Sequence, residues 1–441
     1  MIPQLQRTEA VSSPEHAPQW SLATRVAFRF FFSYFLLYVY PRSVGSLGAW
    51  VKYNNPLRDL WHAVVPWVGT HVLHLGGGDF TEVANGSGDQ LYDWVLLFCI
   101  FVTAIVATAI WSWLDRKRPD YQVLYQWLRI FVRLSVAVAM VIYGTDKIFR
   151  MQFPEPPLAR WVDPVAQIPP MSLLWVTVGY SHLYSIFGGL GEMAGAFLLL
   201  VPRFTALGAL ITAGVMSNVL MLNLGYDVPR KIYSIHLIAF CLFLLIPDIR
   251  RLFDFFLLNR TTRLTPPVPV FKDWKLNLGM LALQIAIGVA AVVTGSYTAH
   301  QDAVKNTTYV EAPLRGIWSV EEFDVDGVPR PPLLTDPERW RYVIFDAPKI
   351  VTVQAVDDVQ RKYYLQMDYP NNRFTFWDTG HPDWAAPLSF DLSQPDRMVL
   401  KGKLGKHQFY ALLKRVDMSD PDKFWLLNRG MHWVTQYPHI R

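Results

Sequence analysis

The amino-acid sequence predicts a membrane-embedded bundle of about seven α-helices followed by an antiparallel β domain, a lipocalin-like barrel or a sandwich. Three observations carry that expectation. Charged residues make up 17% of the 441-residue chain and apolar ones 52%, whereas soluble domains carry roughly 25% charged residues. Up to residue 297 the apolar runs are long enough to cross a hydrocarbon layer of roughly 30 Å at about 1.5 Å per helical residue. Beyond it the apolar pattern switches to a period of two. The organisation is therefore a helical domain over 1–297 and a β domain over 298–441.

The first 23 residues are polar. They lead into "TRVAFRFFFSYFLLYVY", which lacks a small-x-small cleavage site and so reads as a retained membrane segment, not a removed signal peptide. This run, 24–40, is short and holds Arg25 and Arg29. It is either the first span or a helix lying in the interface. Six clearer spans follow at 92–114, 124–144, 173–201, 204–223, 231–247 and 274–297. Connections holding Arg116, Lys117 and Arg118, then Arg203, then Arg250, Arg251, Arg260, Arg263, Lys272 and Lys275 are denser in cations than the alternating set. That asymmetry makes them cytoplasmic and puts 41–91, 145–172, 224–230 and the C-terminal region outside. "LTPPVPV" (264–270) reads as a stiff connector.

In the C-terminal region, "GIWSVEEFDVDG", "RWRYVIFDA", "KIVTVQAVDD", "RKYYLQMDY", "NRFTFWDT", "MVLKGKL" and "HQFYALLKRVD" alternate polar and apolar residues. Turn residues such as Asp326-Gly327 and Pro370-Asn371-Asn372 separate them, and about eight strands suit a small barrel or sandwich.

Composition also limits function. A net charge of +5 without a long basic run gives no footprint for nucleic acid. The two cysteines, Cys99 and Cys241, lie in apolar runs and form no C-x-x-C motif, so a redox role must use a quinone, a bound cofactor or a partner. His71 and His74 have no evident third ligand, and no metal site is assigned. The glycines of "GGGDFTEVANGSGDQ" match neither a P-loop nor a dinucleotide fingerprint; they read as an external loop.

The chemistry-bearing residues fall in three groups. In "NLGYDVPRKIYSIH" (223–236), Asp227 and Pro229 read as an N-cap and first-turn proline. Asn218, Asn223 and His236 lie deeper in the flanking spans, with Lys231 at the rim, where polar groups need protein partners. In "GYSHLYSIFGGLGEMAGAFLLLVPR", Glu192 lies about 16 Å down a helix counted from Ser181. Ser181, Ser185, Gly188 and Glu192 share one stripe, Tyr184 stands near its outer end, and Gly188, Gly191 and Gly195 admit a neighbouring helix closely. Glu192 is either tied across a small-residue helix contact or a functional carboxylate. In "VIYGTDKIFRMQFP", Tyr143, Lys147 and Arg150 stand at the outer end of their span, where cations either snorkel to headgroups or join a pocket between helices.

The core from about 124 to 258, with "YGTDKIFRMQFP", "NVLMLNLGYDVPRKIYSIHL" and "PDIRRLFDFFLLN", resembles bacterial DoxX-like integral membrane proteins, in a subgroup with a C-terminal β domain. These are four-helix units related to the small subunit of thiosulfate:quinone oxidoreductase and, more distantly, to the membrane part of vitamin K-dependent carboxylases. Position by position, Glu192, Asn223, Asp227, Lys231 and His236 look like the subgroup's polar positions. The "GIW" at 316–318 is similar to the Gly-x-Trp start of lipocalin-like barrels.

The resulting expectation is a membrane oxidoreductase component acting on quinone or another small lipophilic substrate in the outer half of the bundle. Glu192 and His236 would exchange protons; Tyr143, Lys147, Arg150, Ser181, Tyr184, Asn218, Asn223, Asp227 and Lys231 would bind. Expected partners are membrane lipids and a redox protein. A non-enzymatic lipid-binding or transport module, and a carboxylase or lyase resting on Lys147 or Lys231, stand as alternatives.

Overall fold

The computed structural model describes residues 20–40, 56–75, 81–83, 86–262, 269–310, 314–347, 349–378, 384–420 and 423–430. The chain forms two compact units, Met1–Ile148 with Ile186–Tyr297, and Phe149–Ser185 with Thr298–Arg441. The segment 149–185, read from sequence within the helical domain, groups with the β domain.

Among the described residues the α-helices ahead of the barrel are, in chain order, α1 (Leu22–Val39), α2 (Pro56–His71), α3 (Leu91–Leu114), α4 (Gln122–Ile148), α5 (Pro170–Tyr180), α6 (His182–Leu200), α7 (Thr205–Gly225), α8 (Lys231–Leu245), α9 (Ile249–Phe256) and α10 (Trp274–Val310). Among the described residues, seven helical segments are long and apolar enough to span a bilayer, beginning at Leu22, Leu91, Gln122, His182, Pro202, Lys231 and Trp274. The protein is a multi-pass membrane protein.

Its core is Val132, Val136 and Met140 of α4 against Ala196 and Leu199 of α6, Leu237, Cys241 and Leu244 of α8, and Phe35 and Tyr38 of α1. Apolar rows stay outside it. Phe98, Phe101 and Ile105 on α3, and Leu283, Val289 and Val293 on α10, are exposed, a surface that only lipid covers at low cost.

The run 22–39 is one of these spans, and the placement of its arginines explains how. Arg29 is buried yet satisfied: its guanidinium donates to Tyr121 Oη at 2.8 and 3.0 Å, Ser112 Oγ at 2.8 Å and the Asp115 carbonyl at 2.9 Å. Arg25 donates to the Arg118 carbonyl at 2.7 Å. Both reach the α3–α4 turn at one end of the helix, so neither charge faces lipid.

The run 173–201 is not one helix. It breaks at Ser181, whose backbone is extended between α5 and α6. The break frees carbonyls at the end of α5, and Arg150 Nη2 takes that of Gly179 at 2.9 Å.

The second unit holds an eight-stranded antiparallel barrel, in which β1 (Gly316–Val325) pairs with both β3 (Trp340–Ala347) and β9 (His407–Arg415). Between these run β4 (Ile350–Ala355), β5 (Gln360–Asp368), β6 (Arg373–Trp377), β7 (Ala385–Gln394) and β8 (Arg397–Leu404), each paired with its sequence neighbour. The short β2 (Val328–Pro329) is a hairpin on β1 through Asp326 and Gly327, both at positive φ, 53° and 77°, as a type I′ turn demands.

Rings fill the interior: Trp318, Phe323, Trp340, Phe345, Phe374, Phe376 and Phe409 are all buried in one cluster. A bulge between Val320 and Glu322 moves the inward position from even residues (Trp318, Val320) to odd (Phe323), which keeps the apolar face inside. Strand β7 escapes the period-two reading because it carries Pro387. It sits opposite Thr375.

The turn at 158–162 docks on the barrel's outer wall. Ala159 packs with Ile317 and Ile344, the Leu158 N–H donates to Asp346 Oδ2 at 2.7 Å, and Gln354 and Gln360 donate to the Val162 and Ala159 carbonyls.

Candidate functional site

Two glycines set the geometry of the deepest polar group. A Cβ on Gly189 of α6 would stand 2.6 Å from the Gly144 carbonyl oxygen of α4, and one on Gly144 would stand 2.7 Å from that of Gly189. The backbones therefore meet where only hydrogen fits. Across this contact Lys147 Nζ donates to both Glu192 oxygens, at 2.8 and 2.9 Å. Glu192 is 2% exposed and the Lys147 side chain 11%. Glu192 lies ten residues into α6, about 15 Å along it. Tyr143, one turn before Lys147, holds its ring 5.7 Å from Nζ and 5.9 Å from the Tyr233 ring of α8. Two spans thus meet at the carboxylate, and the tyrosine pair links α4 to a third.

A carboxylate stripped of water costs several kcal/mol unless a cation and good hydrogen bonds offset it. The bidentate lysine supplies both. In such a low-dielectric setting a charge arriving nearby would act strongly on the pair.

His236 forms a second centre on α8. Its Nδ1 lies 2.7 Å from the Ile232 carbonyl, which can only accept, so Nδ1 carries the hydrogen. In the neutral ring Nε2 then accepts from Tyr34 Oη at 2.7 Å. Tyr38 stacks on the imidazole at 3.7 Å and 7°. Both tyrosines come from α1, the segment whose spanning was open in sequence.

The opening between α7 and α8 is a structural turn with a surface ion pair. Asp227 does not cap the helix that follows it; the expectation of an N-cap is corrected. It sits at φ 50° just past the end of α7, where the Val228 N–H returns to the Asn223 carbonyl at 3.0 Å, a Schellman closure. The cap of α8 comes from elsewhere. Asp89 accepts from the Lys231 and Ile232 N–H groups at 2.6 and 3.0 Å. Lys231 Nζ pairs with Asp227 at 2.9 Å, the aspartate side chain being 82% exposed. Asn223 is buried and donates to Ser234 Oγ at 2.8 Å and the Arg230 carbonyl at 3.3 Å, which ties α7 to α8.

Asn218 is exposed on α7 and does not join the buried groups; a polar face turned from the bundle replaces the expected contact. Arg150, Ser181 and Tyr184 belong to the other compact unit. Ser181 Oγ accepts from the Tyr184 N–H at 3.3 Å, starting α6. Ser181 therefore leaves the helical stripe assigned to it, and Tyr184 is exposed. Of the expected constellation, Glu192, Lys147 and Tyr143 come together, and His236 is held separately by α1.

Sequence reasoning passed over Tyr34, Tyr38 and Asp89, whose roles depend on which helices neighbour one another. It also passed over Arg133, a charge inside the apolar run 124–144 that its depth alone marks as notable. Arg133 meets Gln284 of α10 and Thr205 of α7.

No family profile matches the chain. No solved structure matches it. Over 127 residues, 28% of its length, the chain is 35% identical to the uncharacterized protein YwoB of Bacillus subtilis and covers 79% of that protein.

Proposed function

The chain belongs to the family of that Bacillus protein, and on this premise we propose that it is a DoxX-like, redox-associated membrane component that binds quinone or a similar small lipophilic substrate beside the Lys147–Glu192 pair. The single observation supporting this reading is the buried bidentate pair, set between α4 and α6 at a depth where lipid gives polar groups no partner.

In this reading a redox partner protein supplies two electrons, and the quinone oxygens take up two protons to give the hydroquinone. Glu192 passes protons, Lys147 holds the negative charge that remains on the carboxylate or develops on the substrate oxygen, and Tyr143 offers a hydroxyl within the same group. His236, with Tyr34, provides a second proton-accepting station. The protein sits in the inner membrane with its barrel on the extracytoplasmic side, a placement supported by the cation-dense connections at 116–118, 203 and 250–275.

The alternatives find less support. Aromatic rings occupy the barrel interior, which leaves an amphiphile little room there. A free amine base is poorly served by Lys147, engaged by Glu192, or Lys231, engaged by Asp227.

The test is gentle extraction of the full chain, mass spectrometry of the small molecules that stay bound, and quinone reduction by the protein with a chemical two-electron donor in place of the redox partner. A bound quinone and a rate that Glu192→Gln slows by more than about tenfold support the reading. A protein that carries no such molecule and leaves added quinones unreduced at every tested potential overturns it.

A further inference from the structure

The cations inside the bundle are not treated alike. Lys147 has a carboxylate, and Arg29 reaches one through Tyr121, whose hydroxyl donates to Asp115 Oδ2 at 2.9 Å. Arg133 has neutral partners: Nη2 donates to Gln284 Oε1, and Nη1 donates to Thr205 Oγ1 at 3.3 Å. Its Nε is buried with no partner, and among the described residues no carboxylate forms an ion pair with it. Arg133 is 5% exposed, Gln284 2% and Thr205 6%. The next cation on that face, Arg129 one turn back, adds charge of the same sign, its guanidinium donating to the Leu244 carbonyl at 3.3 Å.

A guanidinium keeps its proton under all ordinary conditions, and a buried charge is retained where it is paired or coordinates a ligand. Two donors here lack acceptors among the described residues, the Arg133 Nε–H and the amide N–H groups of Gln284, while the Thr205 hydroxyl is spent on the Pro202 carbonyl at 2.9 Å. Helical side chains slope toward the N-terminus of their helix, so Arg133 leans toward the α6–α7 turn, the end of the bundle that also holds Arg116, Lys117 and Arg118. We propose that Arg133 and Gln284 form an anion site that takes a phosphate-type oxyanion, contributed by an anionic lipid headgroup or by a free anion. An oxyanion would meet the two open donors and supply the missing charge.

The test uses the full chain purified in a neutral detergent and follows its thermal midpoint. Inorganic phosphate and dioleoyl-phosphatidylglycerol are titrated separately, with dioleoyl-phosphatidylcholine as the zwitterionic reference. The expected result is a saturable rise with phosphatidylglycerol and none with phosphatidylcholine. A matching rise with inorganic phosphate assigns the site to a free anion, and its absence assigns it to the lipid. Gln284→Glu lays a carboxylate on the guanidinium from within and should shrink the rise at least fivefold. If that variant fails to accumulate, Arg133→Gln reads the same loss. No saturable rise with either anionic probe, or an equal rise in wild type and the variant that folds, overturns the proposal.

Discussion

Glu192 illustrates what a residue reveals by its setting. A lone carboxylate deep in an apolar run announces a partner; Lys147, at the end of its span, reads equally well as a snorkelling cation, and only the Gly144–Gly189 contact selects the pairing. Removing one member leaves the other charge buried, so Glu192→Gln or Lys147→Met should each lower unfolding free energy by about 3–5 kcal/mol. The double variant should cost clearly less than the sum, because no orphan charge remains; denaturant unfolding in detergent measures all three, and strict additivity would show the two groups to be uncoupled. Asp346, on the barrel, offers a pH test. Burial raises its carboxyl above the ordinary 3.8, against the lowering by the Leu158 N–H and Arg315. A raised value means the stabilisation is fully present below the unfolded value and lost as pH rises through the folded one. The stability of wild type relative to Asp346→Asn should therefore fall as pH climbs above 3.8, and a rise or a flat difference contradicts the assignment. Asp227 shows the opposite limit of legibility: Asp-x-Pro ahead of a helix looks like a cap, and the positive φ that makes it the end of the previous helix leaves no mark in the residue order.

Among the helices and strands, glycine placement separates contact from spacing. Gly189→Ala would drive a methyl against the Gly144 carbonyl at 2.6 Å, whereas Gly214→Ala on α7 meets nothing within 4 Å. The first should cost about 1–3 kcal/mol and loosen the ion pair; the second should gain roughly 0.5–1 kcal/mol from helix propensity. Thermal midpoints of the two variants check the contrast, and equal effects would remove the argument that α4 and α6 touch there. Apolar periodicity located the spans well, because length and composition are sequence properties. It did not locate the break at Ser181, since the run from 173 to 201 stays apolar on both sides. Nor did alternation reveal β7, where Pro387 lowers strand propensity and pairing in a closed barrel restores it. The docking of 149–185 onto the barrel depends on hydrogen bonds from Gln354 and Gln360 to backbone carbonyls, contacts that no local pattern encodes.

For the molecule as a whole, the distribution of cations is the one sequence feature that carries an orientation. Insertion machinery leaves short cation-rich connections on the cytoplasmic side, and with five candidate spans between the α3–α4 turn and the barrel the proposed orientation requires Lys117 and the barrel on opposite faces. The span 22–39 lies ahead of all these connections and so bears only on the side of the segment before it; Arg29 is accommodated there by Tyr121, Ser112 and the Asp115 carbonyl. The chain is suited to a direct measurement, since Cys99 and Cys241 are both free and buried and should give a low background with a membrane-impermeant thiol reagent. Lys362→Cys on the exposed face of β5 should label in intact cells whose outer envelope has been opened, and Lys117→Cys in the α3–α4 turn should label only after the inner membrane is permeabilised. Both positions are exposed in the folded chain, so failure to react reports the barrier, not burial. Labelling of Lys117→Cys before Lys362→Cys would invert the protein; labelling of both at the same stage would remove one of the five candidate spans between them and place the barrel on the side of the cation-rich turns.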